Sequence, residues 1–321
     1  VLSGFLITTL LVREVAETGG ISLTQFWLRR ARRILPASAV VLAATGIATA
    51  ILSDPWQIPS ARRDIIYASL FALNWRLASE GTDYLAQDDA PSVVLHFWSL
   101  GIEEQFYIFW PVLLLVCIYL LRGGGQDRQR QAFFRLAIAL GLVSFLLSLY
   151  LTDHNQPFAF FGTHTRAWQL LAGATIALVL HTREAPTWAA NPVLGLAALL
   201  ALMGALALFS IDTQYPGIAA VVPVAAACAI IVHGASLANG ASVVRMLSFK
   251  PLRFVGRVSY SWYLWHWPVL ILGAPLAESL GVLAVPVLVA ASFAFAVASY
   301  HFVENPLRYS DWILTRAWRS A

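Results

Sequence analysis

Residues 98–121 read WSLGIEEQFYIFWPVLLLVCIYLL. As a helix rising 1.5 Å per residue this stretch is about 36 Å long, enough to cross a hydrocarbon core of about 30 Å, and past Glu104 no charge interrupts it. Apolar runs of similar character recur at 1–12, 35–52, 136–152, 165–181, 191–210, 216–234, 258–273 and 281–303. With 98–121 they predict nine membrane-crossing helices. Composition agrees, since the 321 residues are 59% hydrophobic and only 12% charged, about half the charge of a soluble domain, with a mean hydropathy of +0.70. A soluble globular protein is excluded. The predicted fold is an all-α polytopic transmembrane bundle, because a helix satisfies its own backbone in lipid.

Charge sets the orientation. A tenth apolar stretch, DIIYASLFALNWRLAS at 64–79, carries Asp64 and Arg76 and lies in a long Pro-, Ser- and Asp-rich connection. If it does not span, loops and tail at 13–33, 122–135, 181–190, 235–257 and 304–321 share one side and hold 17 of the 21 Lys and Arg. Basic loops stay in the cytoplasm, so 64–79 is expected to be a re-entrant or interfacial helix. The formal charge of +4 then follows from topology and contact with membrane lipids, and no nucleic-acid partner is expected.

The segment 53–97 is the one long extracytoplasmic loop with room for a lid or an acceptor platform. No internal repeat or soluble domain is apparent. Val1 already stands inside an apolar run with no initiator methionine, so the chain is expected to begin within a helix. Cys117 and Cys228 lie in apolar runs and are expected to pack as small hydrophobes rather than to pair.

Ionisable groups within a bilayer cost a few kcal/mol, so each one is a candidate site residue. Glu103 and Glu104 open the 98–121 span after His96 and Trp98, and Tyr107, three residues past Glu104, shares its face. A carboxylate beside a phenol can hold a sugar hydroxyl or orient a base. It can equally pair with Arg76 or Arg166 to fasten helices, and the two roles are compatible. Arg29, Arg30, Arg32 and Arg33 form two interleaved Arg-x-x-Arg pairs ahead of the 35–52 span. On a helix they make a double cationic patch suited to phosphate, or a topology signal that touches anionic headgroups. His266 stands between Trp265 and Trp267 deep in a span, as a proton shuttle or as a helix-to-helix anchor. The seven histidines form no H-E-x-x-H or H-x-x-E-H pair, so no metal site is expected. Nucleophile-elbow, Walker and dinucleotide fingerprints are likewise absent.

VLSGFLI at 1–7, RRARRILPA at 29–37, LHFWSLGIEEQFYIFWP at 95–111, TRAWQLLAGA at 165–174, GRVSYSWYLWHWP at 256–268 and SYHFVENPLR at 299–308 follow one another in a familiar order. Together they resemble the acyltransferase-3 family of bacterial integral-membrane O-acyltransferases, over essentially the whole chain. The resemblance implies ten transmembrane helices, of which the nine here are the second to tenth. Residues 1–309 would form the transmembrane domain and 310–321 a cytoplasmic tail, in the bacterial cytoplasmic membrane. The implied reaction moves an acyl group, commonly acetyl, from cytoplasmic acyl-CoA to a hydroxyl of a glycan or lipid-linked saccharide.

Carried over by motif, Ser3, Gly4 and the four arginines fall to the donor side, and Glu103, Glu104, Tyr107 and His266 to the catalytic group. His96, Trp98 and Arg166 fall to the acceptor side. The family's base, a histidine eleven residues after an arginine on the first helix, has no match here. It is expected upstream of Val1, which would leave this chain inactive by itself. Many relatives continue into an extracytoplasmic SGNH hydrolase-like domain. Two rivals remain, a non-catalytic polysaccharide flippase or exporter and a different membrane O-acyltransferase superfamily. The first would show pseudo-repeated halves and the second a paired Asn and His in its core, and neither pattern is found.

Overall fold

A computed structural model describes residues 1–81, 91–122, 124–210, 213–236, 242–276 and 280–308, and among them there is helix but no strand. The helices are α1 (Leu2–Thr18), α2 (Leu23–Leu52), α3 (Ile58–Ser69), α4 (Leu73–Ser79), α5 (Phe97–Leu120), α6 (Gln126–His154) and α7 (Gln156–Phe161). They continue as α8 (Thr163–Thr182), α9 (Pro192–Leu208), α10 (Val221–Ser236), α11 (Ser242–Leu247), α12 (Lys250–Gly273), α13 (Ala284–Ser299) and α14 (Asn305–Arg308). A π-turn, Tyr300–Glu304, joins the last two.

Each of the nine predicted spans is helical. Among the described residues five stretches are long and apolar enough to cross a membrane: Leu23–Leu52, Phe97–Leu120, Gln126–His154, Ile218–Ser236 and Gly281–Arg308. The others fall short for separate reasons. α1 and α9 have 17 residues each, while α8 and α12 carry polar and basic side chains such as His164, Arg166, Lys250, Arg253 and Arg257.

The stretch 64–79 divides between α3 and α4, broken at Phe71, whose φ is 52°. At 1.5 Å per residue these helices are about 18 and 10 Å long, so neither crosses a bilayer. α2 begins at Leu23, well before the predicted span, and carries the four arginines within the helix. Its Pro36 lacks the N–H that would have bonded the Arg32 carbonyl.

The chain forms two compact units. The first holds α1, α4 from Asn74, α5 from Ile102, and α6 to α11. The second holds α2, α3, α5 as far as Gly101, and α12 to α14. In the first unit α8 packs against α1 and α6, and α9 against α10. Glycine sets the α1–α8 approach: a Cβ on Gly4 would lie 1.8 Å from the Leu170 carbonyl oxygen, and one on Gly173 would lie 1.9 Å from that of Val1. Small residues permit such backbone contact in membrane helices. α6 shows the lipid pattern from its other side, burying Ser144, Ser148 and Thr152 while Leu142, Val143 and Leu146 are exposed. In the second unit α12 packs on α13, where a Cβ on Gly273 would meet the Leu288 side chain at 2.4 Å.

Candidate active site

In the first unit α1 and α5 meet through two side-chain bonds. Ser3 Oγ donates to Glu103 Oε1 at 2.7 Å, and the Trp110 indole N–H donates to Thr8 Oγ1 at 2.9 Å. Successive contacts advance in the same direction on both helices, so α1 and α5 run parallel. The Tyr107 hydroxyl reaches Glu103 Oε2 at 3.4 Å, one helical turn away. Glu103 is therefore a half-buried carboxyl group oriented by two hydroxyls. The sequence spacing pairs Tyr107 with Glu104; the geometry places the phenol on Glu103, because i to i+4 neighbours share a face as i to i+3 neighbours do. Glu104 is half-buried beside it. Gly4 has a packing role against α8, and that packing sets where Ser3 stands.

A polar network in the same unit escaped the sequence reading. Gln105 Nε2 donates to Asn74 Oδ1 at 2.9 Å, and Asn74 Nδ2 donates to the Phe161 carbonyl at 3.1 Å. Thr163 Oγ1 and the Trp75 indole N–H both donate to Gln105 Oε1, the latter at 3.0 Å, and the Trp75 ring stacks on His164. The available signal was Asn-Trp-Arg inside the demoted stretch 64–79. Arg166 is buried, donates from Nε to the Phe160 carbonyl at 2.9 Å, and lies over the rings of Phe160 and Tyr215 at 4.7 and 4.9 Å. These contacts fix the α7–α8 corner. Arg76 pairs with Glu80 at 3.1 Å.

The second unit brings His96 and His266 together, with ring centroids 5.2 Å apart and edge to face. His266 Nδ1 lies 2.6 Å from the Tyr263 carbonyl oxygen. A carbonyl can only accept, so Nδ1 carries a proton, and only Nε2 could offer a lone pair in the neutral ring. His96 is 4% exposed, and neither ring nitrogen has a hydrogen bond of ordinary geometry. Burial holds its imidazole far below the usual histidine range, at about 3; the adjacent His266 pushes the same way, and the Leu264 carbonyl offsets part of the effect. His96 is thus neutral at physiological pH.

Tyr263 donates its hydroxyl to the His96 carbonyl and shares a 2.7 Å bond with Ser99 Oγ, while the Trp267 indole N–H donates to the Ser92 carbonyl at 2.9 Å. Trp98 is half-buried at the start of α5.

Towards the other end of α12, the Tyr260 hydroxyl donates to the Ile34 carbonyl at 2.9 Å, next to the arginines. Arg29 and Arg33 are exposed, Arg30 and Arg32 half-buried, and Arg32 Nη2 donates to the Arg308 carbonyl at 2.9 Å. Two of the basic segments that the charge distribution assigned to one side, 13–33 and 304–321, therefore meet within this unit through Arg32 and Arg308. Tyr260 and His266 are six residues apart, about 9 Å along the helix. Among the described residues no group of three or more His, Cys, Asp or Glu is placed to hold a metal ion.

Comparison with known proteins places the chain in a family. A family model described as an acyltransferase domain matches residues 1–301. The chain is 31% identical over 322 residues to the peptidoglycan O-acetyltransferase OatA of Listeria monocytogenes, covering 98% of this chain and 51% of the relative. It is 30% identical over 329 residues to a putative peptidoglycan O-acetyltransferase, YrhL, of Bacillus subtilis, with coverage of 96% and 49%. A putative O-acetyltransferase of Staphylococcus aureus is 32% identical over 336 residues, with coverage of 100% and 53%. The chain spans about half the length of these curated relatives. No solved structure matches it significantly. With a match over residues 1–301 and this level of identity along its length, the chain belongs to the acyltransferase-3 family and is an acyltransferase domain.

Proposed function

We propose that this domain carries out O-acyl transfer, moving an acetyl or related acyl group from cytoplasmic acyl-CoA to a hydroxyl of a cell-envelope glycan. The observation that carries the proposal lies in the second unit, where α12 links the arginine patch to a histidine oriented through Nδ1 by the Tyr263 carbonyl, about 9 Å along the helix. A donor with phosphates at one end of a long flexible arm and a thioester at the other suits that spacing. The names of the relatives, peptidoglycan O-acetyltransferases, support a glycan acceptor of the peptidoglycan type.

In this scheme the acceptor hydroxyl attacks the thioester carbonyl and gives its proton to a nearby base, for which His266 Nε2 is the candidate within this chain. The C–S bond then breaks, and the CoA thiolate leaves and is protonated. Holding donor and acceptor together supplies much of the rate. Glu103, with Ser3 and Tyr107, forms a second polar centre suited to a sugar hydroxyl, and Glu104 stands next to it. Nine crossings of the cytoplasmic membrane, with 17 of the 21 basic residues inside, would place the arginines on the side where acyl-CoA is made.

The donor site is tested by replacing Arg29, Arg30, Arg32 and Arg33 with Gln in the full-length protein and measuring KM for acetyl-CoA. An increase of at least about tenfold is expected, since each lost charged hydrogen bond is worth about 1.5–3 kcal/mol. A normal KM would remove the arginines from the donor site.

A further inference from the structure

The turn that closes the second unit bears on the arginine patch. After α13 the chain passes through the π-turn Tyr300–Glu304, a departure from α-helical spacing that is frequent at functional sites. Glu304, its last residue, is 2% exposed. A carboxylate buried to this degree costs several kcal/mol unless it is compensated. Ser261 supplies part of the compensation, its fully buried hydroxyl donating to Glu304 Oε2 at 2.8 Å. The cations that act on Glu304 are Arg308 and Arg33.

Two further bonds tie the same three segments together. Tyr260, next to Ser261, donates to the carbonyl of Ile34, and Arg32 donates to the carbonyl of Arg308. The Arg32–Ile34 turn of α2, the middle of α12 and the segment 304–308 thus converge around one buried carboxyl group. Topology alone requires nothing of this kind, because exposed arginines already mark a cytoplasmic loop.

We propose that Glu304 is the positioning residue of the donor-phosphate patch, a buried counter-ion that holds Arg33, and with it the Arg29–Arg33 turn, in place to bind a phosphate-bearing acyl donor. This rests on the donor-site assignment above. Four like charges on successive turns repel one another, and an internal anion at one edge of the patch fixes the turn without occupying its exposed part. The ligand class is a nucleotide-bearing thioester recognised through its phosphates.

The test uses the full-length protein in proteoliposomes, with acetyl-CoA as donor. Glu304→Gln is expected to raise KM for acetyl-CoA about tenfold while kcat and KM for the glycan stay within about twofold. Glu304→Asp should recover part of the loss, and Ser261→Ala should shift KM in the same direction by less. Arg29→Gln/Arg30→Gln is assayed in parallel. If that variant raises KM and Glu304→Gln does not, the positioning role is overturned and the donor site stands. If neither raises KM, the donor site falls with it. A Glu304→Gln protein that loses kcat at unchanged KM also overturns the role. Should Glu304→Gln fail to fold, Ser261→Ala decides, and an unchanged KM there counts against the proposal.

Discussion

Glu103→Gln in the full-length protein is expected to lower acyl transfer about 100-fold, the lower end of what a positioned acid or base contributes. The isostere retains the volume and both hydrogen-bond neighbours, so the loss isolates the charge. Ser3 donates to that charge at 2.7 Å, and a hydrogen bond to an ionised partner is worth about 1.5 kcal/mol or more. Ser3→Ala should therefore cost roughly tenfold. Glu104→Gln is the informative comparison. Sequence spacing favours Glu104, while the geometry puts both hydroxyl donors on Glu103, so Glu103→Gln should be the more damaging. A larger loss from Glu104→Gln would return the central role to that residue. Transfer rates in membranes, normalised to the amount of folded protein, make the comparison.

Gly4→Ala should destabilise the domain by about 3 kcal/mol or more, at the upper end of overpacking. The added methyl would lie 1.8 Å from a backbone carbonyl, which no rotamer change relieves, so α1 and α8 must separate. Gly173→Ala meets the opposite helix at 1.9 Å and should behave alike. Gly204→Ala, with nothing within 4 Å, is the control and should stay within about 0.5 kcal/mol. Thermal unfolding of the detergent-solubilised protein reads the difference. Displacing α1 also moves Ser3 from Glu103, so Gly4→Ala should lose transfer activity even below its melting temperature. Unchanged melting would mean that the two helices do not approach closely.

What the chain spells out in sequence is what depends on near neighbours. Apolar runs locate the helices because each must be apolar over its own length, and the asymmetry of arginine locates loops because charge resists crossing. Charge argues against the 64–79 stretch as a span, but its division into α3 and α4 turns on the positive φ of Phe71, for which no side-chain pattern gives notice. α8 is less apolar because it buries Thr165 and Arg166, while the basic residues of α12, Lys250, Arg253 and Arg257, are exposed at its start, and hydropathy alone cannot tell either pattern from a loop.

Pairings between distant residues were out of reach. Ser3 and Glu103 are 100 residues apart, and the Asn74–Gln105–Thr163 network joins three separate elements. The motifs marked several participants, including Ser3, Glu103, His96 and His266, but not who meets whom. Helix packing decides that, and it is set by glycines such as Gly4 and Gly173 whose importance appears only when both helices are in place.

The most direct measurement is sidedness of transfer. Full-length protein reconstituted in sealed vesicles receives acetyl-CoA with a labelled acetyl group in the compartment facing the arginine loops, with peptidoglycan fragments confined to the other. An acyltransferase domain that takes its donor through Arg29–Arg33 and releases the acyl group on the opposite side should place base-labile label on the enclosed glycan. That label should be lost with Glu103→Gln and recovered at high donor concentration in Glu304→Gln. Label that appears on the glycan only when donor and acceptor share a compartment, or not at all in folded protein, would contradict transfer across the membrane by this domain.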